Sequence, residues 1–177
     1  MGMYSKYHDD GGAPFPGSDS VALAAGTPEK AVASSKWDDR FMDLARMVGS
    51  WSRDPSTTVG TVIAGPDKIV LAVGYNGFPR GCDDDPAIYQ DRPRKHLRTT
   101  HSEANAVAAS SRSGVSLKGA TAYVTAPCCA QCAALLIQAG VMAVVVPDGV
   151  TLRSEWAESA AEAQAMFAEA RVKVRTV

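Results

Sequence analysis

The feature that most constrains this chain is a split set of metal ligands. His101-Ser102-Glu103 is followed, about one helix and one strand later, by Pro127-Cys128-Cys129-Ala130-Gln131-Cys132. To share one ion, the starts of two separate helices must meet. Cys129 and Cys132 lie three apart at the start of a predicted helix, so both sulfurs can face one point. A helix N-terminus favours the thiolate, the form that binds zinc. His101 supplies a third ligand from the start of another helix. Three protein ligands leave the fourth tetrahedral position open, as in catalytic zinc sites, whereas structural sites close with four. Glu103 stands in the same first turn as His101 and serves as an acid/base without binding the metal. A structural site with Cys128 as fourth ligand would give Glu103 no task, and adjacent side chains at a helix start diverge. A redox Cys-x-x-Cys is the remaining reading. A Cys128/Cys132 pair could also share a helical face. Cys129 is preferred because it completes Cys-x-x-Cys, leaving Cys128 as a small buried neighbour.

Composition excludes several other classes. The 177 residues are most simply one domain plus a tail, with 46% hydrophobic and 21% charged residues, ordinary for a globular protein. A net charge of −1 argues against a broad footprint for duplex nucleic acid. No apolar run is long enough to span a bilayer, and no segment has the form of a secretory signal. Three of the four cysteines crowd into five positions, poor spacing for structural disulfides. A cytoplasmic setting is expected, where clustered cysteines more often bind metal or catalyse.

Met1 to Ser34 is rich in Gly, Ala, Ser, Pro and Asp and reads as a disordered tail, a solubilising leader or a subunit-binding arm. Residues 35–177 then form the folded domain. Ser35-Lys36-Trp37-Asp38 resembles a capping box. Trp37, Phe41, Leu44, Ala45 and Val48 recur at helical spacing as core, and Asp54-Pro55 stops that helix. Thr57–Ala64 and Ile69–Val73 predict a hairpin around Gly65-Pro66-Asp67-Lys68. Residues 77–100 read as one long polar loop. His101–Arg112 is helical, Ala120–Thr125 a strand, Cys129–Ala139 a helix and Val141–Val146 a buried strand. Glu155–Ala170 is a helix and Val172–Val177 a final strand. The order implies a mixed sheet with helices on both faces, its later strands parallel.

His-x-Glu followed by Cys-x-x-Cys beside a proline matches the general signature of zinc-dependent nucleobase deaminases. Four stretches extend the likeness: Trp51-Ser-Arg-Asp-Pro-Ser-Thr-Thr-Val-Gly60, Gly74-Tyr-Asn-Gly-Phe-Pro-Arg-Gly81, His101-Ser-Glu-Ala-Asn-Ala106, and Cys129-Ala-Gln-Cys132 with Ile137-Gln-Ala-Gly140. In this order, from Trp37 to about Pro147, the chain resembles the deoxycytidylate (dCMP) deaminases. The resemblance implies a cytidine-deaminase-like three-layer α/β/α fold with a five-stranded mixed sheet. It implies one catalytic Zn²⁺ on His101, Cys129 and Cys132, with Glu103 as acid/base, and hydrolysis of dCMP to dUMP and ammonia. Asn76 falls where related deaminases hold the nucleoside sugar; an Asn-Gly turn is the plainer role. Arg53, Ser56 and Thr57 sit where a 5′-phosphate could be held. The family is typically hexameric and often regulated by dCTP and dTTP, with Tyr75–Gly81 the place to look for such a site.

Three departures qualify the likeness. Pro127 is displaced by one position through Cys128. Leu152–Phe167 lacks an expected tyrosine and carries Trp156. The stretch between Asp85 and Thr100 aligns poorly. The competing functions are a deaminase of another cytosine nucleotide, nucleoside or base, and a non-catalytic zinc module that binds nucleotides. Among weaker signals, Arg92, Arg94, Lys95 and Arg98 are a solvated loop or a phosphate contact. Asp83-Asp84-Asp85 reads as solvated, Cys82 as an inert thiol and His96 as a loop histidine.

Overall fold

The computed structural model describes residues 35–150 and 153–177. The expected tail over Met1–Ser34 lies outside the described residues. The elements run α1 (Lys36–Gly49), β1 (Gly60–Ala64), β2 (Val70–Tyr75), α2 (Pro86–Gln90), α3 (Arg92–Arg98), α4 (Ser102–Ser113), β3 (Thr121–Val124), α5 (Ala130–Gln138), β4 (Ala143–Val146), α6 (Ser154–Glu169) and β5 (Lys173–Thr176). They build one five-stranded sheet in the order β2-β1-β3-β4-β5. β1 is antiparallel to both β2 and β3, while β3, β4 and β5 are parallel, as the alternation of helix and strand requires. Among the described residues no helix is long and apolar enough to cross a membrane.

Alternation along the strands divides the core in two. Val62, Ala64, Tyr123 and Val145 face α1 and pack with Phe41, Met42, Ala45 and Val48. Ile63, Ala122, Val124, Val144 and Val146 face the other way, onto Ala106 of α4, Ala133 and Leu136 of α5, and Ala163 and Phe167 of α6. The expected three layers are therefore α1, the sheet, and α4 with α5 and α6. Two glycines let the helices press on the strands. A Cβ at Gly60 would meet Ala45 O at 1.9 Å, and one at Gly74 would meet Ser102 O at 2.2 Å.

Several sequence expectations shift. The capping box on α1 forms, with Ser35 accepting from Asp38 N and Asp38 accepting from Ser35 N. Trp37, expected in the core, is 41% exposed and stacks on the outer side of Phe41; Met42 fills the buried face instead, and Leu44 is only half-buried. α1 ends at Gly49, well before Asp54-Pro55. The strand expected from Thr57 starts at Gly60. The Asn76 amide takes the ladder's place there, accepting from Val59 N at 2.8 Å and donating to Thr57 O at 2.9 Å. The long loop contains α2 and α3, each started by an aspartate that accepts from the first turn, Asp85 from Ala87 N and Asp91 from Arg94 N. These helices are too short to show a period in sequence. The acidic run is built into this segment: besides the cap at Asp85, Asp84 accepts from Tyr89 Oη at 2.6 Å and from Arg53 at 3.0 Å.

Candidate active site

His101 and Cys129 are the N-cap residues of α4 and α5, and neither side chain makes a capping bond. Both are thus left pointing away from their own helices. The first N–H of α5 finds a partner elsewhere, Ala130 N donating to Ser159 Oγ of α6 at 3.0 Å. Cys132 is the third residue of α5, so N-cap and N3 side chains meet as they do in a capping box. The result joins three residues from two helices: Cys129 Sγ and Cys132 Sγ lie 3.4 Å and 3.5 Å from His101 Nδ1. All three ligand atoms lie within 4.8 Å of one another.

This donor set fits zinc. Tetrahedral zinc with Zn–S of about 2.3 Å and Zn–N of about 2.0–2.1 Å separates neighbouring nitrogen and sulfur ligands by about 3.6 Å. Both nitrogen–sulfur distances agree with that edge. Cys128 is buried and stands outside the cluster. The hydrogen bond from Cys132, helped by His101, outweighs burial and pulls the Cys129 thiol down to about 4. That same bond, then burial, pushes Cys132 up. The bond with Cys129 raises His101 above the usual imidazole value, against burial. Burial and the nearby Glu103 carboxylate push the Cys128 thiol well up, keeping it neutral.

The cluster opens into a cavity of about 600 Å³. Glu103 and His101 line it, with Pro127, Cys128 and Cys129, and Trp156 forms part of the wall. Trp156 meets His101 edge-on at 5.8 Å between centroids and stacks on His96 at 6.3 Å. Asn76, Ser56 and Thr57 line the same cavity. Asn76 already spends one donor and one acceptor on the backbone, which leaves it one of each. Arg53 is not on the cavity wall; it is exposed and paired with Asp84.

Sequence reasoning missed a polar network on the cavity wall. Lys95 Nζ lies 2.7 Å from Asp54 and 2.6 Å from Ser56 Oγ, with side chains only 11% and 2% exposed for Lys95 and Asp54. Asp54 also accepts from Ser56 N and Thr57 N. Burial opposes its ionisation, yet Lys95 and Ser56 hold its carboxyl below the ordinary range. Arg92 pairs with Glu155 at 2.6 Å, and Arg153 is the one cation on the wall without an ion pair among the described residues. The basic stretch hinted at Arg92 and Lys95. No local signal marks Asp54, Ser159 or Arg153.

The family model for the cytidine and deoxycytidylate deaminase zinc-binding region matches residues 35–147. The chain belongs to that family. The "uncharacterized deaminase in luxG 3'region" of Aliivibrio fischeri is 43% identical to this family member over 141 residues, 79% of this chain and 92% of that one. A probable deoxycytidylate deaminase of Drosophila melanogaster is 37% identical over 62% of this chain, which spans only 58% of that relative's length. In fold, this deaminase is similar to the dCMP deaminase of cyanophage S-TIM5, crystallised with dCMP and dUMP. The TM-score is 0.61 at 20% identity, over 78% of this chain and 95% of that one.

Proposed function

We propose that this chain is a zinc-dependent hydrolytic deaminase that converts dCMP to dUMP and ammonia. The observation that carries the reading is one cavity lined by Glu103 and by His101 and Cys129 of the His101–Cys129–Cys132 cluster, with cationic residues also on its wall. Zinc held by those three residues would act as a Lewis acid that makes a water nucleophilic near neutral pH. Glu103 is the group on the wall suited to proton transfer. It takes a proton from the attacking water, passes one to the pyrimidine ring nitrogen, and the next to the departing amine. Water adds at the carbon bearing the amine, the C–N bond breaks, and ammonia leaves. Trp156 offers an aromatic face for the base, and Asn76 has one donor and one acceptor left for sugar hydroxyls.

The phosphate reading moves from Arg53 to Arg153, with Arg92, Ser56 and Thr57 as neighbours on the wall. Lys95 is committed to Asp54 and contributes by ordering that part of the wall. The names of the curated and structural relatives support dCMP as substrate. We take the enzyme to feed thymidylate synthesis in the cytoplasm as a homo-oligomer, a hexamer by resemblance, subject to dCTP and dTTP.

An ammonia-release panel tests this with dCMP, CMP, deoxycytidine, cytosine, 5-methyl-dCMP and dCTP. The expected result is a kcat/KM for dCMP far above that for deoxycytidine, because each charge-assisted hydrogen bond to phosphate contributes about 1.5–3 kcal/mol. Equal values for the two would move the reading to a nucleoside deaminase. Glu103→Gln should keep zinc and lose roughly 10²–10⁴-fold in turnover.

A further inference from the structure

Glu103 does not stand alone on the cavity wall. Ser102 Oγ donates to Glu103 Oε2 at 3.0 Å, and Ser102 Oγ lies 2.8 Å from Thr61 Oγ1. Ser102 and Thr61 are both 0% exposed, and Glu103 is 4% exposed. An ionised carboxylate only accepts, and a hydroxyl carries one proton. The direction of the chain is therefore fixed: Thr61 donates to Ser102, and Ser102 donates to Glu103. The hydroxyls come from β1 and α4 and meet directly.

We infer that Ser102, backed by Thr61, is a positioning residue for the acid/base step, holding one oxygen of Glu103 so that the other serves the reaction. The inference rests on the deaminase reading above. With Oε2 accepting from Ser102, rotating the carboxyl away from the cavity costs that bond. Each turnover asks the same carboxyl to accept and return a proton, so a side chain fixed in rotamer performs both without reorganising. In this role Ser102 acts through Glu103. Burial makes the bond matter, because a hydrogen bond to a charged group at a 0% exposed side chain is poorly screened.

The test compares Ser102→Ala, Ser102→Cys, Thr61→Val and the double variant Thr61→Val/Ser102→Ala with the parent. Each is measured for zinc content, urea midpoint, kcat and KM with dCMP. Ser102→Ala should lower kcat about ten-fold or more, with KM within two-fold and zinc unchanged, since hydrogen bonds to charged groups fall in that range. Ser102→Cys keeps a weaker donor of similar shape and should fall between. Thr61→Val should cost a few-fold, and the double variant should be no slower than Ser102→Ala, because both act through one chain. A kcat for Ser102→Ala within two-fold of the parent overturns the inference. So does a double variant that loses the product of the two single effects. Glu103→Gln separates the two levels: if it keeps turnover the deaminase reading itself fails, whereas a dead Glu103→Gln beside a normal Ser102→Ala removes only the positioning role.

Discussion

Lys95→Met removes the one cation paired with Asp54 among the described residues, on the cavity wall. The pair is 2.7 Å long and its side chains are 11% and 2% exposed. Breaking a buried ion pair by deleting one partner typically costs about 3–5 kcal/mol, because the other charge is left without compensation. Asp54 keeps the bonds from Ser56 N, Ser56 Oγ and Thr57 N, which places the expected loss near the lower limit, about 3 kcal/mol. For a chain of this size that is about 6–12 °C in melting temperature. The pH dependence has a definite sign. In the parent, Lys95 and Ser56 hold the Asp54 carboxyl down against burial, so the stability it contributes is present above its unfolded value and lost as pH falls. In the variant burial acts without the cation, so the folded carboxyl rises relative to the parent, and protonation relieves the unpaired charge. The deficit should therefore be smaller at pH 5 than at pH 7. Urea unfolding at both pH values and at fixed protein concentration measures it. The double variant Lys95→Met/Asp54→Asn should regain part of the loss. A Lys95→Met variant within 1 kcal/mol of the parent, or a double variant no better than the single, would refute the reasoning.

Three further outcomes follow from the same geometry. Cys132→Ala should lose zinc while Cys128→Ala keeps about one ion per chain by metal analysis, since Cys128 lies outside the ligand cluster; the reverse pattern between Cys128 and Cys129 would mean a wrong ligand register. Gly74→Ala should destabilise by several kcal/mol and reduce turnover in the fraction that folds, because its Cβ would meet Ser102 O at 2.2 Å and Ala106 N at 2.5 Å and push away the helix that carries Glu103. Asp38 pairs with Arg175 and Tyr123; against burial, those partners and Ser35 hold its carboxyl down to about 2 from 3.8. Its contribution, up to about 2 kcal/mol, should be present above pH 3.8 and lost between there and pH 2, and acid unfolding of Asp38→Asn should lack that component.

The sequence by itself determined the chemistry and the layer order. His101, Glu103, Cys129 and Cys132 were legible because each pair lies within one helical turn, where spacing alone dictates which side chains converge. The α1 cap was legible for the same reason, and the parallel half of the sheet followed from alternating helices and strands. Tertiary structure decided everything that depends on contacts between distant residues. Asn76 starts β1 late by satisfying the backbone of residues 57 and 59. Lys95 reaches Asp54 across 41 positions, and Arg53 turns to Asp84 rather than to the cavity. Ser159 frees Cys129 by taking over a helix N–H from 29 positions away. Trp37 carries the apolar spacing of a core residue yet lies outward, since periodicity gives a face but not whether another layer covers that end of it. Local rules act over one turn of helix or one strand pair; which buried carboxylate meets which cation is set only when the layers close.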